Sequence, residues 1–304
     1  MALQSRATHM LRLMQQFAPR RFAASLPAGT TVPPPRIMRF LSDDHDEHWG
    51  VFVNVEETAA RVARRNDEGK LELTTLVRPV TVVLPPVDPP QIYCIGLNYG
   101  AHATEVKMER PLYPIVFAKT INTLIGHGGA IVLPAVAADE CDYEAELAVV
   151  IGREAKNVSV EKAMDYVLGY TVANDVTARK WQGKKGGGQW IRGKSFDTFL
   201  PLGPYVVPRD SIDLNDTRIR TWVNGDLVQD GNTGDMLASV PELVSFLSQD
   251  TTLLPGSIIL TGTPAGVGYT RGVFLRPGDV IRIAIDGVGE LRNAVVAADA
   301  QTAT

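Results

Sequence analysis

Two glutamates, Glu144 and Glu146, stand two residues apart at the start of an apolar run that is typical of a β-strand. Side chains at positions i and i+2 of a strand point to the same face, so we expect both carboxylates on one side of a sheet. Two such carboxylates leading into a buried segment repel each other unless a cation lies between them. Asp175, at the end of a second strand-like run, is a third candidate ligand. The pattern predicts an enzyme that uses a divalent cation on an oxygen-rich substrate.

The donor atoms indicate which metal such a site would take. All three candidate ligands are oxygen donors, and the cluster contains neither cysteine nor histidine. Hard oxygen sites select Mg²⁺, Mn²⁺ or Ca²⁺ over zinc, and three carboxylates leave coordination positions for water and substrate. Spacing alone leaves open a solvated Glu-x-Glu pair on an edge strand beside an unrelated turn aspartate. The adjoining run Asn174–Arg179 favours the metal site.

A histidine and a glutamate form the second candidate group. His102 and Glu105 lie three residues apart after a Gly-Leu-Asn-Tyr turn, so on a helix both would face one side. A carboxylate beside an imidazole orients it and keeps it basic, which would let His102 activate water or shuttle a proton. A surface His–Glu pair on a short helix is the alternative reading of this spacing.

Four further side chains are candidates for contact with an anionic substrate. Lys119 and Lys194 each follow apolar or glycine residues rather than a basic run. A lysine beside a developing oxyanion supplies a point charge or a proton, although a solvated lysine explains an isolated position equally well. Arg179 and Gln182 follow Asp175 and would bind a substrate carboxylate or order the pocket. A structural salt bridge accounts for Arg179 just as well.

A glycine between two hydroxyl residues in the run Thr261–Pro264 would let backbone N–H groups approach an anion closely, which makes Thr263 a candidate substrate contact. An ordinary exit from a strand into a loop is the alternative. Tyr99 and Met236 are candidate cavity-lining residues. The glycine-rich stretch Lys184–Gly188 is either the edge of a flexible lid or an exposed loop.

The bulk composition excludes several classes of protein. The chain has 304 residues, of which 45% are hydrophobic, enough for a substantial core. A net charge of −4 gives no nucleic-acid footprint, and the absence of an apolar run of ~18 residues argues against a membrane span. The glycine-rich stretch lacks the strand-to-helix context of a dinucleotide fingerprint. Cys94 and Cys141 adjoin apolar segments and are expected to be reduced, buried thiols rather than a disulfide.

The N-terminal segment has a composition of its own. The first 42 residues contain six arginines and no acidic residue, and Met10, Leu11, Met14 and Phe17 follow helical spacing. These features predict that residues 1–35 are a mitochondrial transit peptide followed by a proline-rich linker, and that the protein resides in the mitochondrial matrix. A disordered extension of a bacterial or cytosolic protein is the alternative.

Beyond this segment, the sequence predicts a small N-terminal module over residues 36–86 and a larger catalytic domain over residues 87–304. The run Pro85–Pro90 separates them, because it can continue neither a helix nor a central strand.

Alternating and short apolar runs predict strands at Trp49–Val55, Leu71–Val77, Ile92–Ile95 and Ile115–Lys119. Helices are predicted over Val160–Leu168, capped by Ser159, and after the capping box Ser239–Glu242; hairpin turns are predicted at Asn224-Gly225 and Asp286-Gly287. The balance predicts a β-rich α+β fold.

Five motifs, in one unbroken order over about residues 90 to 290, resemble the fumarylacetoacetate hydrolase family: Gly96–His102, Asp142–Gly152, Asn174–Arg179, Gly193–Thr198 and Leu260–Gly268. The resemblance implies a mixed β-sandwich roll, a homodimer, and Mg²⁺ or Mn²⁺ held by Glu144, Glu146 and Asp175. It also implies a small-molecule substrate with a 2-oxo acid or 1,3-dicarbonyl unit. Three consecutive glycines between Gln182 and Lys194 depart from the family pattern, so closure of the pocket there is expected to differ.

The same resemblance implies roles for individual residues. His102 and Glu105 match a water-activating dyad on a segment that orders over the substrate, and Lys194 matches a lysine that contacts the metal-bound substrate region. The stretch Lys194–Pro204 is most similar to a mitochondrial subgroup of the family. This favours keto–enol tautomerisation of oxaloacetate. C–C bond hydrolysis of an acylpyruvate or fumarylacetoacetate-type substrate, oxaloacetate decarboxylation, and a non-catalytic metal-binding homologue are the alternatives.

Overall fold

The computed structural model describes residues 36–54, 56–65 and 71–298. The predicted transit peptide lies outside the described residues. The strands are β1 (Met38–Leu41), β2 (Glu47–Phe52), β3 (Ala59–Arg65), β4 (Leu71–Pro79), β5 (Val82–Leu84), β6 (Ile92–Gly96), β7 (Ile115–Ala118), β8 (Leu124–Ile125), β9 (Ile131–Leu133), β10 (Cys141–Asp142), β11 (Ala145–Ile151), β12 (Val167–Asn174), β13 (Thr177–Ala178), β14 (Leu200–Pro208), β15 (Arg218–Val223), β16 (Asp226–Asn232), β17 (Ile258–Leu260), β18 (Val280–Ile285) and β19 (Gly289–Ala297).

The helices are short. They are α1 (Gly100–Glu105), α2 (Val160–Ala163), α3 (Arg179–Gln182), α4 (Trp190–Lys194), α5 (Val240–Leu247) and α6 (Gly268–Arg271). None of the helices in the described ranges is both long and apolar enough to cross a membrane.

Most strands belong to two sheets. A twelve-stranded sheet runs in the order β4-β3-β2-β1-β14-β12-β11-β17-β6-β7, with β5 added on β1 and β8 on β14. A five-stranded sheet runs β16-β15-β18-β19-β9, and β10 pairs with β13. Side chains of β11 and of β18 share one apolar core, so the two sheets pack face to face. This arrangement confirms the predicted β-rich α+β fold with a sandwich core.

Strand β11 divides two cores and thereby places the acidic residues. Every residue of β11 is buried. Leu147 and Val149 point into the core between the sheets. Ala148 and Val150 point to the opposite face, into a second apolar cluster. Because side chains alternate along a strand, Glu146 lies on the face of Ala148 and Val150.

The N-terminal strands continue the large sheet. β1 pairs with β14 through the register Met38↔Tyr205, and β2 to β5 build outward from β1. A separate apolar cluster that includes Phe40, Val62 and Val83 lies beneath these strands. The division into a module at 36–86 and a catalytic domain from residue 87 remains a prediction, and hydrogen-bonded strands join the two stretches.

One predicted helix is largely wrong. The apolar spacing predicts a helix over Val160–Leu168, but α2 ends at Ala163, a single 3₁₀ turn follows, and β12 begins at Val167. Val167 pairs with Ile151 of β11, so tertiary strand pairing overrides the local helical pattern. The strand predicted at Trp49–Val55 is also displaced, because β2 spans Glu47–Phe52.

Other local predictions are confirmed. The Ser239 N–H donates to Glu242 Oε2 at 2.7 Å, which closes the capping box of α5. Asn224 and Gly225 take φ values of 53° and 93° between β15 and β16, as a tight hairpin turn requires. The two cysteines, Cys94 and Cys141, are buried free thiols.

Candidate metal and catalytic site

Three buried carboxylates converge where β11 and β12 meet. Glu144 precedes β11, Glu146 lies on it, and Asp175 follows β12. One oxygen from each lies within 4.8 Å of the others, and each residue is buried. The Asp175 N–H donates to the Glu144 carbonyl oxygen at 2.9 Å, which holds the two backbones together. The predicted convergence of these three side chains is therefore present in the structure.

Lys194 neutralises two of the three carboxylates. Its Nζ, on the last residue of α4, lies 2.8 Å from Glu144 Oε2 and 2.5 Å from Asp175 Oδ2. A third hydrogen bond, of 2.8 Å, goes to the Thr177 hydroxyl oxygen, so all three ammonium protons have acceptors. Burial alone would lower the pKa of Lys194, but Asp175 and Glu144 outweigh it and raise that pKa. Lys194 is consequently a fixed positive charge in the site.

Arg179 neutralises the outer edge of the cluster. Its Nη2 lies 2.7 Å from Glu144 Oε1 and 2.6 Å from Asp142 Oδ2. Its Nη1 donates to Gln182 Oε1 at 2.7 Å. Burial would raise the pKa of Glu144, but Lys194 and Arg179 outweigh it and lower that pKa to about 2. The structural salt bridge left open for Arg179 is therefore present, on the rim of the same cavity.

Glu146 is the carboxylate without a basic partner. Within the described residues, no lysine, arginine or histidine lies within 4.0 Å of it, and the Gly262 N–H, at 2.7 Å, is its one hydrogen-bond donor. Burial, with repulsion from Asp175 and Glu144, raises the pKa of Glu146 well above its ordinary range. A buried carboxylate with this environment is the residue that a bound cation would satisfy.

The donor set fits a hard divalent cation. In the cluster, four carboxylates (Asp142, Glu144, Glu146 and Asp175) meet three basic side chains (Lys119, Arg179 and Lys194). The unmatched negative charge lies on Glu146. Oxygen-only ligands suit Mg²⁺, Mn²⁺ or Ca²⁺, as the sequence predicts. Metal binding stays a proposal, and the geometry is consistent with it.

Lys119 is buried against Asp175, one of the three candidate metal ligands. Its Nζ lies 2.7 Å from Asp175 Oδ1 and 3.1 Å from the Val176 carbonyl oxygen, and its side chain is fully buried. It does not line the cavity that Glu144 and Glu146 face. Burial lowers the pKa of Lys119, with Asp175 opposing that effect. The geometry thus places Lys119 against a candidate metal ligand and outside the wall of this cavity.

His102 and Glu105 form a hydrogen-bonded pair on α1. His102 Nδ1 lies 3.0 Å from Glu105 Oε2, as the i, i+3 spacing on a helix predicts. Glu105 Oε1 accepts the Gly266 N–H at 3.0 Å and the Thr270 hydroxyl at 2.7 Å. Burial opposes ionisation, but the hydrogen bonds from Thr270, His102 and Gly266 outweigh it and lower the pKa of Glu105. Glu105 is therefore held as a carboxylate beside the imidazole.

One cavity of about 1100 Å³ brings these groups to a common space. Its lining includes His102, Glu144, Glu146, Arg179, Gln182, Lys194 and Thr263. Apolar side chains such as Phe117, Trp181 and Trp190 form much of the remaining wall. The cavity therefore presents a polar, charged floor beneath an apolar wall, which is the usual character of a small-molecule site.

Two predicted lining residues lie elsewhere. Tyr99 is fully buried, bridges to Met236 in an antiparallel pair, and is absent from the cavity wall, as is Met236. By contrast, Lys184, Lys185 and Gly186 border the cavity as a 3₁₀ turn between α3 and α4.

Sequence reasoning did not single out several contributors. Asp142 accepts two hydrogen bonds from Arg179, although the sequence predicts no role for it beyond its place in a motif. Gly262, which lies in the run predicted to bring backbone N–H groups close to an anion, donates its N–H to the Glu146 carboxylate. Thr270 contacts Glu105 from a separation of 165 residues. The position of Asp142 close to Glu144 and Glu146 in the sequence could have indicated its role. No sequence pattern connects Thr270 with α1.

Comparisons with known proteins show the family to which this fold belongs. A model of the fumarylacetoacetate (FAA) hydrolase C-terminal family matches residues 91–296. A solved structure of a fumarylacetoacetate hydrolase from psychrophilic Exiguobacterium antarcticum superposes with a TM-score of 0.73 at 34% identity, covering 86% of this chain and 99% of that one. The chain is therefore an enzyme that belongs to the fumarylacetoacetate hydrolase family.

Within the family, particular relatives can be named. A "fumarylacetoacetate hydrolase domain-containing protein 2 homolog" from Dictyostelium discoideum is 47% identical over 274 residues, covering 86% of each chain. A mitochondrial oxaloacetate tautomerase from Xenopus laevis is 44% identical over 248 residues, covering 81% of this chain and 77% of its own. These relatives confirm the resemblance to a mitochondrial subgroup.

Proposed function

We propose that this chain is a Mg²⁺-dependent oxaloacetate keto–enol tautomerase of the mitochondrial matrix. The observation that carries the proposal is the buried carboxylate triad with one member, Glu146, lacking a cationic partner and facing the cavity. The name of the frog relative, an oxaloacetate tautomerase at 44% identity, supports the reaction and the compartment. A homodimer is part of the same proposal.

Glu144, Glu146 and Asp175 would hold the Mg²⁺, with Mn²⁺ or Ca²⁺ as substitutes. A dication bound there would act as a Lewis acid on the keto and carboxylate oxygens of a 2-oxo acid. Lys119 and Lys194 hold the Asp175 carboxylate in place through their contacts with its two oxygens. Orienting a ligand is what surrounding residues contribute to a metal site.

The cavity residues match the demands of tautomerisation. The keto and enol forms of oxaloacetate differ by a proton on C3 or on the keto oxygen, and negative charge develops on that oxygen as the C3 proton leaves. Lys194 and Arg179 place fixed positive charge at the cavity floor, where it stabilises such charge. His102, oriented by Glu105, would carry the proton. Gln182 and Thr263 are proposed substrate contacts, since both line the cavity.

A second candidate activity is favoured by one observation. The His102–Glu105 pair, at 3.0 Å and beside the same cavity, has the form of a dyad that activates water. C–C bond hydrolysis of an acylpyruvate would use that water, whereas tautomerisation needs none. The variant His102→Ala separates the two. We expect it to abolish hydrolysis and to slow tautomerisation by about 100-fold, leaving the charge-assisted part detectable.

The proposal is tested by following the ultraviolet absorbance of the enol form of oxaloacetate in the presence of the full chain, with and without Mg²⁺. A catalysed approach to keto–enol equilibrium that needs Mg²⁺ supports it. Turnover of acylpyruvates without acceleration of the oxaloacetate equilibrium would favour the hydrolase. No turnover on a panel of 2-oxo acids at saturating Mg²⁺ would favour a non-catalytic metal-binding homologue.

A further inference from the structure

The short turn α6 is attached to the acidic end of the site. Asp142 Oδ1 accepts the Gly268 N–H at 2.7 Å, and its Oδ2 accepts the Tyr269 N–H at 2.9 Å. Asp142 is fully buried and is also bonded to Arg179, which contacts Glu144. The position of α6 is therefore coupled to a candidate metal ligand through the charged side chains of Asp142 and Arg179.

The same turn contacts the histidine pair. The Thr270 hydroxyl lies 2.7 Å from Glu105 Oε1 and 2.9 Å from the Val267 carbonyl oxygen. Among the described residues, Thr270 and His102 are the two side chains that hydrogen-bond to Glu105; the remaining donor is the Gly266 N–H. Substitution can remove the Thr270 contact, whereas the Gly266 contact belongs to the backbone.

Glu105 in turn determines how the imidazole is used. When its carboxylate accepts from His102 Nδ1, the Nδ1–H tautomer is stabilised and Nε2 is the nitrogen left to exchange a proton. A carboxylate that rotates freely would no longer favour the Nδ1–H tautomer. A third group that orients the carboxylate therefore affects proton transfer by the imidazole without contacting the imidazole itself.

We infer that Thr270 is a positioning residue, whose hydroxyl orients Glu105 and thereby sets the tautomer and direction of His102 relative to the metal carboxylates. The inference rests on the proposed function, in which His102 moves the proton. Asp142 anchors the turn that carries Thr270, so one element relates the histidine pair to the acidic triad.

The test compares Thr270→Val, which removes the hydroxyl at nearly constant shape, with Thr270→Ser, which keeps it. A hydrogen bond to a charged acceptor at an exposed position corresponds to about a tenfold effect. We therefore expect Thr270→Val to lower kcat for oxaloacetate tautomerisation about tenfold at unchanged KM, and Thr270→Ser to restore the wild-type value. In a His102→Ala background, Thr270→Val should have no further effect, because the residue that it positions is gone.

Either of two results would overturn the inference: an equal loss from Thr270→Val with and without His102, or no difference between the valine and serine variants. A tautomer measurement separates this failure from failure of the proposed function. In ¹⁵N NMR spectra of the full chain with Mg²⁺, wild type should show a single Nδ1–H tautomer for His102 and Thr270→Val a mixture. If wild type does not act on oxaloacetate, the proposed function fails. The NMR measurement does not depend on activity, so an unchanged His102 tautomer in Thr270→Val would then overturn the positioning role by itself.

Discussion

The Gly262 N–H donates to Glu146 Oε2 at 2.7 Å across 116 residues of sequence. This contact joins the loop after β17 to the acidic strand β11, and it is the hydrogen bond that Glu146 receives within the described residues. A backbone amide supplies only a partial positive charge, so an ionised Glu146 in this buried position lacks a full countercharge. The proposed metal site depends on this deficit.

The variant Glu146→Gln tests whether the missing countercharge is supplied by a metal ion, through the effect of Mg²⁺ on the free energy of unfolding. Glutamine keeps an oxygen for the Gly262 N–H and removes the charge that repels Asp175 and Glu144. In chelator, we expect its free energy of unfolding to equal or exceed that of wild type. Mg²⁺ at a hundred times its Kd should stabilise wild type by about 2.7 kcal/mol and leave Glu146→Gln unchanged, as measured by urea unfolding.

Glu140→Gln is the matched control, since Glu140 is an exposed carboxylate on the wall of the same cavity. It should keep the full Mg²⁺ stabilisation. An equal response to Mg²⁺ in Glu146→Gln and wild type would place the ion elsewhere.

Lys119→Met tests whether Lys119 supports Asp175 or binds substrate. Its ammonium is fully buried 2.7 Å from Asp175 Oδ1, and removing one partner of a buried ion pair costs about 3 kcal/mol or more. We expect urea denaturation to show that loss. Lys180→Met is the control, because Lys180 is exposed and should change stability by less than about 0.5 kcal/mol. A Lys119→Met variant with wild-type stability and a raised KM for oxaloacetate would instead show a substrate contact.

Glu105→Gln tests the ionised state of the dyad through the pH dependence of stability. The folded-state pKa of Glu105 is lowered from its ordinary value of 4.5, because hydrogen bonds from Thr270, His102 and Gly266 outweigh the effect of burial. A lowered folded pKa contributes stability that is present above the unfolded pKa and is lost as pH falls through the folded pKa. Wild type should therefore be more stable than Glu105→Gln by a constant amount above about pH 5, and the difference should shrink in more acidic solution. A difference that stays constant or widens on acidification would contradict this ionised state.

Ser239→Ala tests the predicted capping box of α5, which lies outside the candidate site. Loss of the Ser239 hydroxyl from the capping box of α5 should lower the free energy of unfolding by about 1 kcal/mol, measured by chemical denaturation. Ser239→Thr should retain most of the stability. Activity should not change, because Ser239 is not part of the cavity wall. A loss below a few tenths of a kcal/mol would show that the cap contributes little here.

The acidic centre could be predicted from the sequence because its geometry is local. Glu144 and Glu146 share a face by strand periodicity, and β11 is a continuous buried run that fixes that face. The i, i+3 spacing of His102 and Glu105 was likewise sufficient for their contact. Turn and cap signals located α5 and the hairpin between β15 and β16 for the same reason.

The remainder depends on contacts that no local pattern encodes. The helical spacing at Val160–Leu168 was misleading, because pairing of Val167 with β11 converts the end of that run into strand. Lys119 and Tyr99 were expected at the substrate, but packing buries both outside the cavity wall. Thr270 meets Glu105 across 165 residues, a contact that only the folded chain can show.

The measurement that tests the central claim most directly is the rate at which the full chain brings the enol and keto forms of oxaloacetate to equilibrium, with wild type and Glu146→Gln compared in saturating Mg²⁺ and in chelator. The account predicts a Mg²⁺-dependent acceleration in wild type that a folded Glu146→Gln variant lacks. Full acceleration by Glu146→Gln, or by wild type in chelator, would contradict it.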